Sequence, residues 1–407
     1  MIACSVLVVG CSGIGERGAL PAGSAAGVAS QAAPDSANLV TLYSFKGKQS
    51  GGEPHDALVN VKGTLYGTTS SYGAGYGTVF AISPLGKFRT VHEFDGTPDG
   101  AYPLAGLVEL NGQLYGTTSA GGVHGGGTVY SISPAGVEHV VYNFGKTGDG
   151  ADPESRLLAE NGVLYGTTRQ GGRHERGTVF AVTQEGQENV IHSFAGAPTD
   201  GGHPGGGLVR VNNWLYGVTL AGGKTESGGS VYRIDAFGQE KVLHSFAVTR
   251  GDGKGPNGTL LYDDGVLFGT TRGGGSHGRG TIYEMTTKGH ELVIHSFGSD
   301  LDGAFPDSGL ALDNGQLYGT TTGGGFSPKR ANQCISSGDV RPDGYYRCGT
   351  IFRTDEFGTE KVVYRFRGDP NGANPEAGLR DVGGVLYGTT FWGGSANYYG
   401  TVFRVIP

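Results

Sequence analysis

The sequence predicts an all-β fold: a seven-bladed β-propeller of four-stranded blades, its last blade closed by the N-terminal strand. Three observations carry this. The pentapeptide Leu-Tyr-Gly-Thr-Thr starts at Leu65, Leu114, Leu164, Leu317 and Leu386, with near-copies at Leu215 and Leu267, so one unit of about 50 residues recurs seven times. Of 407 residues 80 are Gly, 20 Tyr and 18 Phe, with no Gly-X-Y period; this is a turn-rich aromatic composition, neither collagen-like nor disordered. The chain also opens on a lone outer strand, 39–45, and ends on a lone set of three, 378–406, which together complete one blade and leave no sheet edge open. An open β-solenoid would not need that split.

Each element of the unit has its own signal. A turn reading Asp-Gly-x-x-Pro occurs at Asp99, Asp149, Asp200, Asp252 and Asp302, with variants at Ser50 and Asn371. There Asp caps the turn, Gly takes positive φ and Pro fixes the entry to strand a. Strand a ends in a two-residue turn such as Asn111-Gly112, Asn161-Gly162, Asp264-Gly265 or Asn314-Gly315, the chemistry of a type I′ hairpin. Strand b is Leu-Tyr-Gly-Thr-Thr, whose Gly (Gly67, Gly166) predicts a close approach between blades. Strand c is Gly-Thr-Val-Phe (Gly77 to Phe80 and six equivalents), and strand d ends in Phe at Phe45, Phe94, Phe144, Phe194, Phe246, Phe297 and Phe366. At one position of strand d His92, His192, His244 and His295 alternate with Tyr43, Tyr142 and Tyr364, which reads as packing with a polar tip.

These residues resemble the choice-of-anchor tandem-repeat GloVer-containing proteins of bacteria, over about residues 39–407. The resemblance implies an exported, surface-anchored propeller and brings no established activity. The strand layout is also similar to kelch repeats, although the kelch Trp positions are absent.

The net charge of −7 with no Lys/Arg run excludes the footprint of a nucleic-acid binder. Residues 1–11 read as a signal peptide, because the apolar run ending Val8-Val9-Gly10-Cys11 resembles a bacterial lipobox and makes Cys11 the expected lipidation site. An ordinary secretory signal is the alternative. An Ala/Gly/Ser-rich tether spans 12–38. The expected location is the bacterial cell envelope, as an outer-membrane lipoprotein or in the periplasm, or outside the cell, with membrane contact only through the N-terminal lipid. An insertion at about 327–347 lengthens the sixth b–c loop and brings Cys334 near Cys348; a disulfide there would contribute about 3 kcal/mol on the chain-entropy model. The pattern calls for no metal and no cofactor, and for a monomer.

Strand directions place the b–c and d–a loops on one face, where function is expected. Aromatic residues of copies six, seven and one gather there: Tyr72, Tyr76, Tyr345, Tyr346, Phe391, Trp392, Tyr398 and Tyr399, beside Phe326. Flat rings of this kind stack on sugars, so the expected ligand is carbohydrate; the bland reading is loop packing. Copies three to five carry a cationic sector of Arg169, Arg173, His174, Arg176, Lys224, Arg272, His277 and Arg279. Around the channel mouth the copies differ at Glu53, His55, Asp56, Tyr102, Asp152, Glu154, His203, Asn257, Asp307, Asn374 and Glu376. Among these Asp152, Glu154, His203 and Glu376 are the candidate acid-base groups of a polysaccharide lyase or hydrolase. The functional expectation is a binding or interaction module for polysaccharide or a cell-surface protein, with that enzyme and a protein-protein scaffold as alternatives. G-x-G-x-x-G occurs at Gly13 and Gly273 outside any βαβ context and predicts nothing.

Overall fold

The computed structural model describes residues 37–298, 301–325, 348–395 and 398–407. Among these residues there is no α-helix, and hence none long and apolar enough to cross a membrane. Residues 1–36, with the predicted signal, Cys11 and most of the tether, lie outside the described residues, as do Phe326, Cys334, Tyr345 and Tyr346.

Seven antiparallel sheets form the predicted propeller. In blade 1 strand a is Val59–Val61, b Thr64–Thr69, c Thr78–Ile82 and d Phe88–Glu93, hydrogen-bonded in that order. Blade 7 combines both chain ends, because Asn38–Ser44 pairs with Thr401–Ile406 in the register Leu39 to Val405. The type I′ turns form as expected, with φ of 55° at Asn111 and 81° at Gly112 and equivalent values in the other Asn-Gly and Asp-Gly turns.

The repeated letters of the sequence each have a contact. The second Thr of strand b meets the first residue of strand c hydroxyl to hydroxyl, as in Thr69 with Thr78 (2.8 Å) and Thr168 with Thr178 (2.8 Å). The strand-b Gly differs from expectation. Gly166 lies opposite Phe180 on strand c of its own blade, and a Cβ there would stand 2.5 Å from Phe180 Cζ. The close neighbour is an aromatic ring of the same sheet rather than the next blade, since only Gly leaves room for a ring to lie across the strand.

Those rings build the joints between blades. The Phe that ends strand d packs edge-to-face on the strand-c aromatic of the following blade: Phe45 on Phe80 (centroids 5.2 Å), Phe94 on Tyr130 (5.0 Å), Phe144 on Phe180 (4.9 Å), Phe194 on Tyr232 (5.0 Å), Phe297 on Phe352 (5.2 Å) and Phe366 on Phe403 (5.3 Å). Phe246 meets Tyr283 at 5.1 Å in a tilted arrangement. These side chains are buried, so the ring of blades is held by burial and by the favoured quadrupole geometry together.

A backbone joint accompanies the aromatic one. The residue before each strand-a Pro has positive φ, including bulky Tyr102 (57°), His203 (54°) and Phe305 (60°). Its N–H donates to the carbonyl before the Gly of strand c in the preceding blade, as Tyr102 to Tyr76 (2.8 Å) and His203 to Arg176 (2.7 Å). The Pro then sits on that Gly: a Cβ on Gly77 would lie 2.7 Å from Pro103 Cδ. Backbone strain of this kind often marks a functional site, but its recurrence in every blade makes it architectural.

Candidate functional site

Two constructions emerge from this frame, one at the channel mouth and one in the seams between blades.

The segments that lead into strand a converge from all blades on a central cavity of about 700 Å³. Of the candidate mouth residues, His55, Asp56, Glu154, Asn257, Asp307 and Glu376 line it, while Glu53, Tyr102, Asp152, His203 and Asn374 do not. Most of the wall charges are paired. Arg169 binds Glu154 (2.9 Å), Arg272 lies 3.7 Å from Asp307, and His55 Nδ1 lies 3.0 Å from Glu376. Asn257 donates to Asp307 (3.0 Å) and Asn374 to Glu376 (2.8 Å). Arg156 reaches across blade 2 to the Ala57 carbonyl and to Asp56, which in turn accepts the Gly106 N–H at 2.7 Å. A Cβ at Gly106 would stand 2.5 Å from the Arg156 guanidinium, so Gly there opens the way. Arg156 and Arg380 both face the cavity, and burial together with this neighbour lowers Arg380 below its ordinary range.

The four candidate acid-base residues separate into two places. Asp152, Glu154 and His203 surround Arg169: Glu154 pairs with its guanidinium, His203 Nδ1 lies 3.0 Å from its carbonyl, and Asp152 accepts from the adjacent Gln170 (3.0 Å). Glu376 belongs instead to His55. Burial and the Glu154 charge raise the Asp152 carboxyl, but that group is outside the cavity wall. Burial raises Glu376 as well, yet hydrogen bonds from His55 and Asn374 outweigh it and hold the carboxyl below its usual range. A general acid needs the opposite bias.

The aromatic sector also divides. Tyr72 packs on Tyr399 (centroids 4.5 Å) across the junction of blades 7 and 1, and Tyr76 meets Tyr102 (5.9 Å) at the next junction. Phe391 is set edge-on to Trp392 (4.9 Å) and to His55 (4.7 Å), which joins the sector to the cavity wall. The Trp392 indole Nε1 is buried and finds no hydrogen-bond partner among the described residues. Tyr398 has positive φ (65°) and is half-buried. Three members of the cationic sector are ion-paired, Arg169 to Glu154, Arg272 to Asp307 and Arg176 to Glu226.

The seams were not foreseen. Strand d carries a one-residue bulge in each blade, at Val91 in blade 1 and Ile191 in blade 3, and the bulge re-aims the following His or Tyr. The bulge carbonyl lies against the c–d turn of the next blade, where a Cβ on Gly136 would be 2.6 Å from Val91 O. Two residues after that Gly comes Glu138, brought beside His92 and Asp99 of blade 1. Five seams repeat this, with Glu138, Glu188, Glu240, Glu291 and Glu360, and in each one carboxylate oxygen is buried without a partner among the described residues. Burial is the leading cause that pushes these carboxyls up, to about 7 at Glu138, Glu188 and Glu291 and about 8 at Glu240 and Glu360. The facing Asp adds to it. The His rings pack edge-on to the terminal Phe of strand d, as His92 on Phe94 (4.9 Å), and their polar tips meet Asp, as in His92 Nε2 to Asp99 (3.0 Å) and His192 Nε2 to Asp200 (3.1 Å). In the second seam Tyr142 takes that place and donates to Asp149 (3.1 Å). The seam between blades 7 and 1 is apolar instead, with Tyr43 stacked on Phe88 at 3.8 Å.

Among solved structures the chain is similar to a gluconolactonase of Xanthomonas campestris, with 12% identity, 91% of this chain and 89% of that one covered, and a TM-score of 0.42. It is also similar to a puromycin hydrolase, with 13% identity and a TM-score of 0.52, covering 87% of this chain and 52% of the hydrolase, so it spans about half of that protein's length. At 13% identity the likeness to the hydrolase extends to the fold alone. No curated protein matches the sequence. The sequence itself matches a family description over residues 18–172 and 139–330, the region that carries six of the seven Leu-Tyr-Gly-Thr-Thr units and near-copies. The chain belongs to the Gloeobacter/Verrucomicrobia repeat family.

Proposed function

We propose that this propeller is an exported binding module of the bacterial cell envelope that takes carbohydrate at the channel mouth beside the junction of blades 7 and 1. One observation carries the reading: Phe391, edge-on to His55, stands next to a cavity whose wall is built of paired Arg, carboxylate, His and Asn side chains. An apolar ring beside convergent planar hydrogen-bonding groups is the chemistry that recognises a pyranose, one face for the ring and the rest for the hydroxyls. Export through residues 1–11, with a lipid at Cys11 or cleavage by an ordinary signal, and a disulfide between Cys334 and buried Cys348 belong to the same proposal.

Glu376, held in its charged form by His55 and Asn374, suits a hydrogen-bond acceptor better than a proton donor, which favours binding over hydrolysis. The purified protein is expected to retain one or more glycans of a polysaccharide panel without releasing products. Phe391→Ala is expected to weaken retention at least tenfold, while Arg89→Ala, on an outer strand, leaves it unchanged. Product release that depends on Glu154 or Glu376 would replace the binding reading with an enzyme. Silence towards every glycan would leave a protein-protein scaffold.

A further inference from the structure

We infer that three of the seams between blades are divalent-cation sites of the zinc type, each stapling one blade to the next. The first is His92 and Asp99 of blade 1 with Glu138 of blade 2; the second is His192 and Asp200 with Glu240; the third is His244 and Asp252 with Glu291. In each the imidazole nitrogen and one oxygen of each carboxylate lie within 4.8 Å of one another. One imidazole and two carboxylates are a donor set that Zn²⁺ accepts, and the imidazole favours it over Ca²⁺ or Mg²⁺.

Two further observations point to a ligand rather than to a hydrogen-bonded cluster sufficient in itself. Glu138, Glu240 and Glu291 each keep one carboxylate oxygen that is inaccessible to solvent and without a partner among the described residues. A buried acceptor of this kind is costly to leave unpaired. The Asp ligands each accept a backbone N–H from behind, as metal ligands do, although Asp99 Oδ1 is also buried without a partner among the described residues. Asp200 Oδ2 accepts from Ala195 (2.7 Å) and its Oδ1 from Gly201 (2.7 Å), Asp99 Oδ2 accepts from Asp95 (3.3 Å), and Asp252 Oδ2 from Val248 (3.3 Å).

The other seams supply an internal contrast. Where Tyr142 replaces His, its hydroxyl donates to Asp149 and the nitrogen ligand is gone, although Asp149 and Glu188 remain. In the seam between blades 6 and 7 the positions are Tyr364, Asn371 and Leu39, with the Asn371 amide donating to the Tyr364 hydroxyl at 2.8 Å. In the fifth seam His295 and Asp302 stand 3.7 Å apart beside Glu360, a looser set. Imidazole, aspartate and glutamate thus come within metal-ligand reach of one another in three seams.

The test uses the full chain, stripped with a chelator and exchanged into metal-free buffer. Titration with Zn²⁺ alone is expected to show three equivalents per chain, to bind at least tenfold tighter than Ca²⁺, and to raise the midpoint of thermal unfolding. Glu138→Gln, Glu240→Gln and Glu291→Gln preserve side-chain size while removing the carboxylate, and each is expected to remove one equivalent. The triple variant is expected to remove all three while keeping the circular dichroism of the folded protein. His192→Ala gives a second route to loss of one equivalent should a Gln variant fail to fold. Absence of Zn²⁺ binding, or binding undiminished in the triple variant, would overturn the inference and leave the clusters as proton-sharing hydrogen-bond networks. Tighter Ca²⁺ than Zn²⁺ would contradict the class of cation.

Discussion

Phe45→Ala is expected to destabilise the protein by about 3–5 kcal/mol, whereas Val40→Ala, five residues away on the same N-terminal strand, is expected to change stability by less than about 0.5 kcal/mol. Phe45 is wholly buried and packs on Tyr43, Phe80 and Phe88, with centroids 5.5, 5.2 and 5.8 Å away, while Val40 is 42% exposed. Its strand supplies both the fourth strand of blade 7 and the aromatic joint to blade 1. A loss at Phe45 therefore weakens the closure of the ring, and Thr401–Ile406 becomes a strand liable to edge-to-edge pairing. Denaturant titration of the two variants checks this. Similar midpoints would mean that the N-terminal strand merely lies on the propeller.

The second large effect is on pH dependence. Glu188 faces Asp149, Tyr142 and Lys146, and Glu360 faces Asp302 and Arg365; burial first, and the Asp second, push them up to about 7 and about 8. An unfolded Glu titrates near about 4.3. The folded protein therefore holds protons that the unfolded chain has released, and the stability these groups contribute is fully present below the unfolded value. It is lost as pH rises through about 7 for Glu188 and about 8 for Glu360. Allowing for the solvent that reaches half-buried side chains, each is expected to cost on the order of 1 kcal/mol between pH 5 and pH 9. Glu188→Gln and Glu360→Gln keep a donor towards the Asp at every pH, so the double variant is expected to be more stable than the parent at pH 9 and to show a flatter profile. Unfolding midpoints measured across that range with a chelator present decide it; a parent protein that gains stability towards pH 9 would contradict the assignment.

The fold was legible because its structural devices recur from blade to blade. Asn-Gly turns, the Asp-Gly-x-x-Pro entry and the terminal Phe of strand d each have a local meaning, and the split blade at the two ends fixes closure. The error at Gly166 came from the same repetition, since a Gly in a strand announces a close neighbour without saying which. The seam carboxylates were missed for a different reason. Glu138, Glu188, Glu240, Glu291 and Glu360 all follow a turn Gly by two residues, so their recurrence was visible. An acidic residue at the start of an outer strand nevertheless reads as solvent-facing until the bulge at Val91 and the approach of Gly136 bring it onto the neighbouring blade. At the mouth, sequence placed the right segments around the channel but had no means of pairing them. The linkage of Phe391 through His55 to Glu376 spans the closure of the ring, and only the folded chain shows it.

The central functional claim is that ligand is taken beside Phe391 and Trp392. The chain has two Trp; the other, Trp214, lies under Arg233 (4.3 Å) at the start of strand b in blade 4. In Trp214→Phe the emission belongs to Trp392 alone. Titration of that variant with the retained glycan is expected to shift the emission and to saturate at the same concentration as retention. Retention of the glycan with unchanged Trp392 emission would place the ligand elsewhere on the propeller and contradict the account.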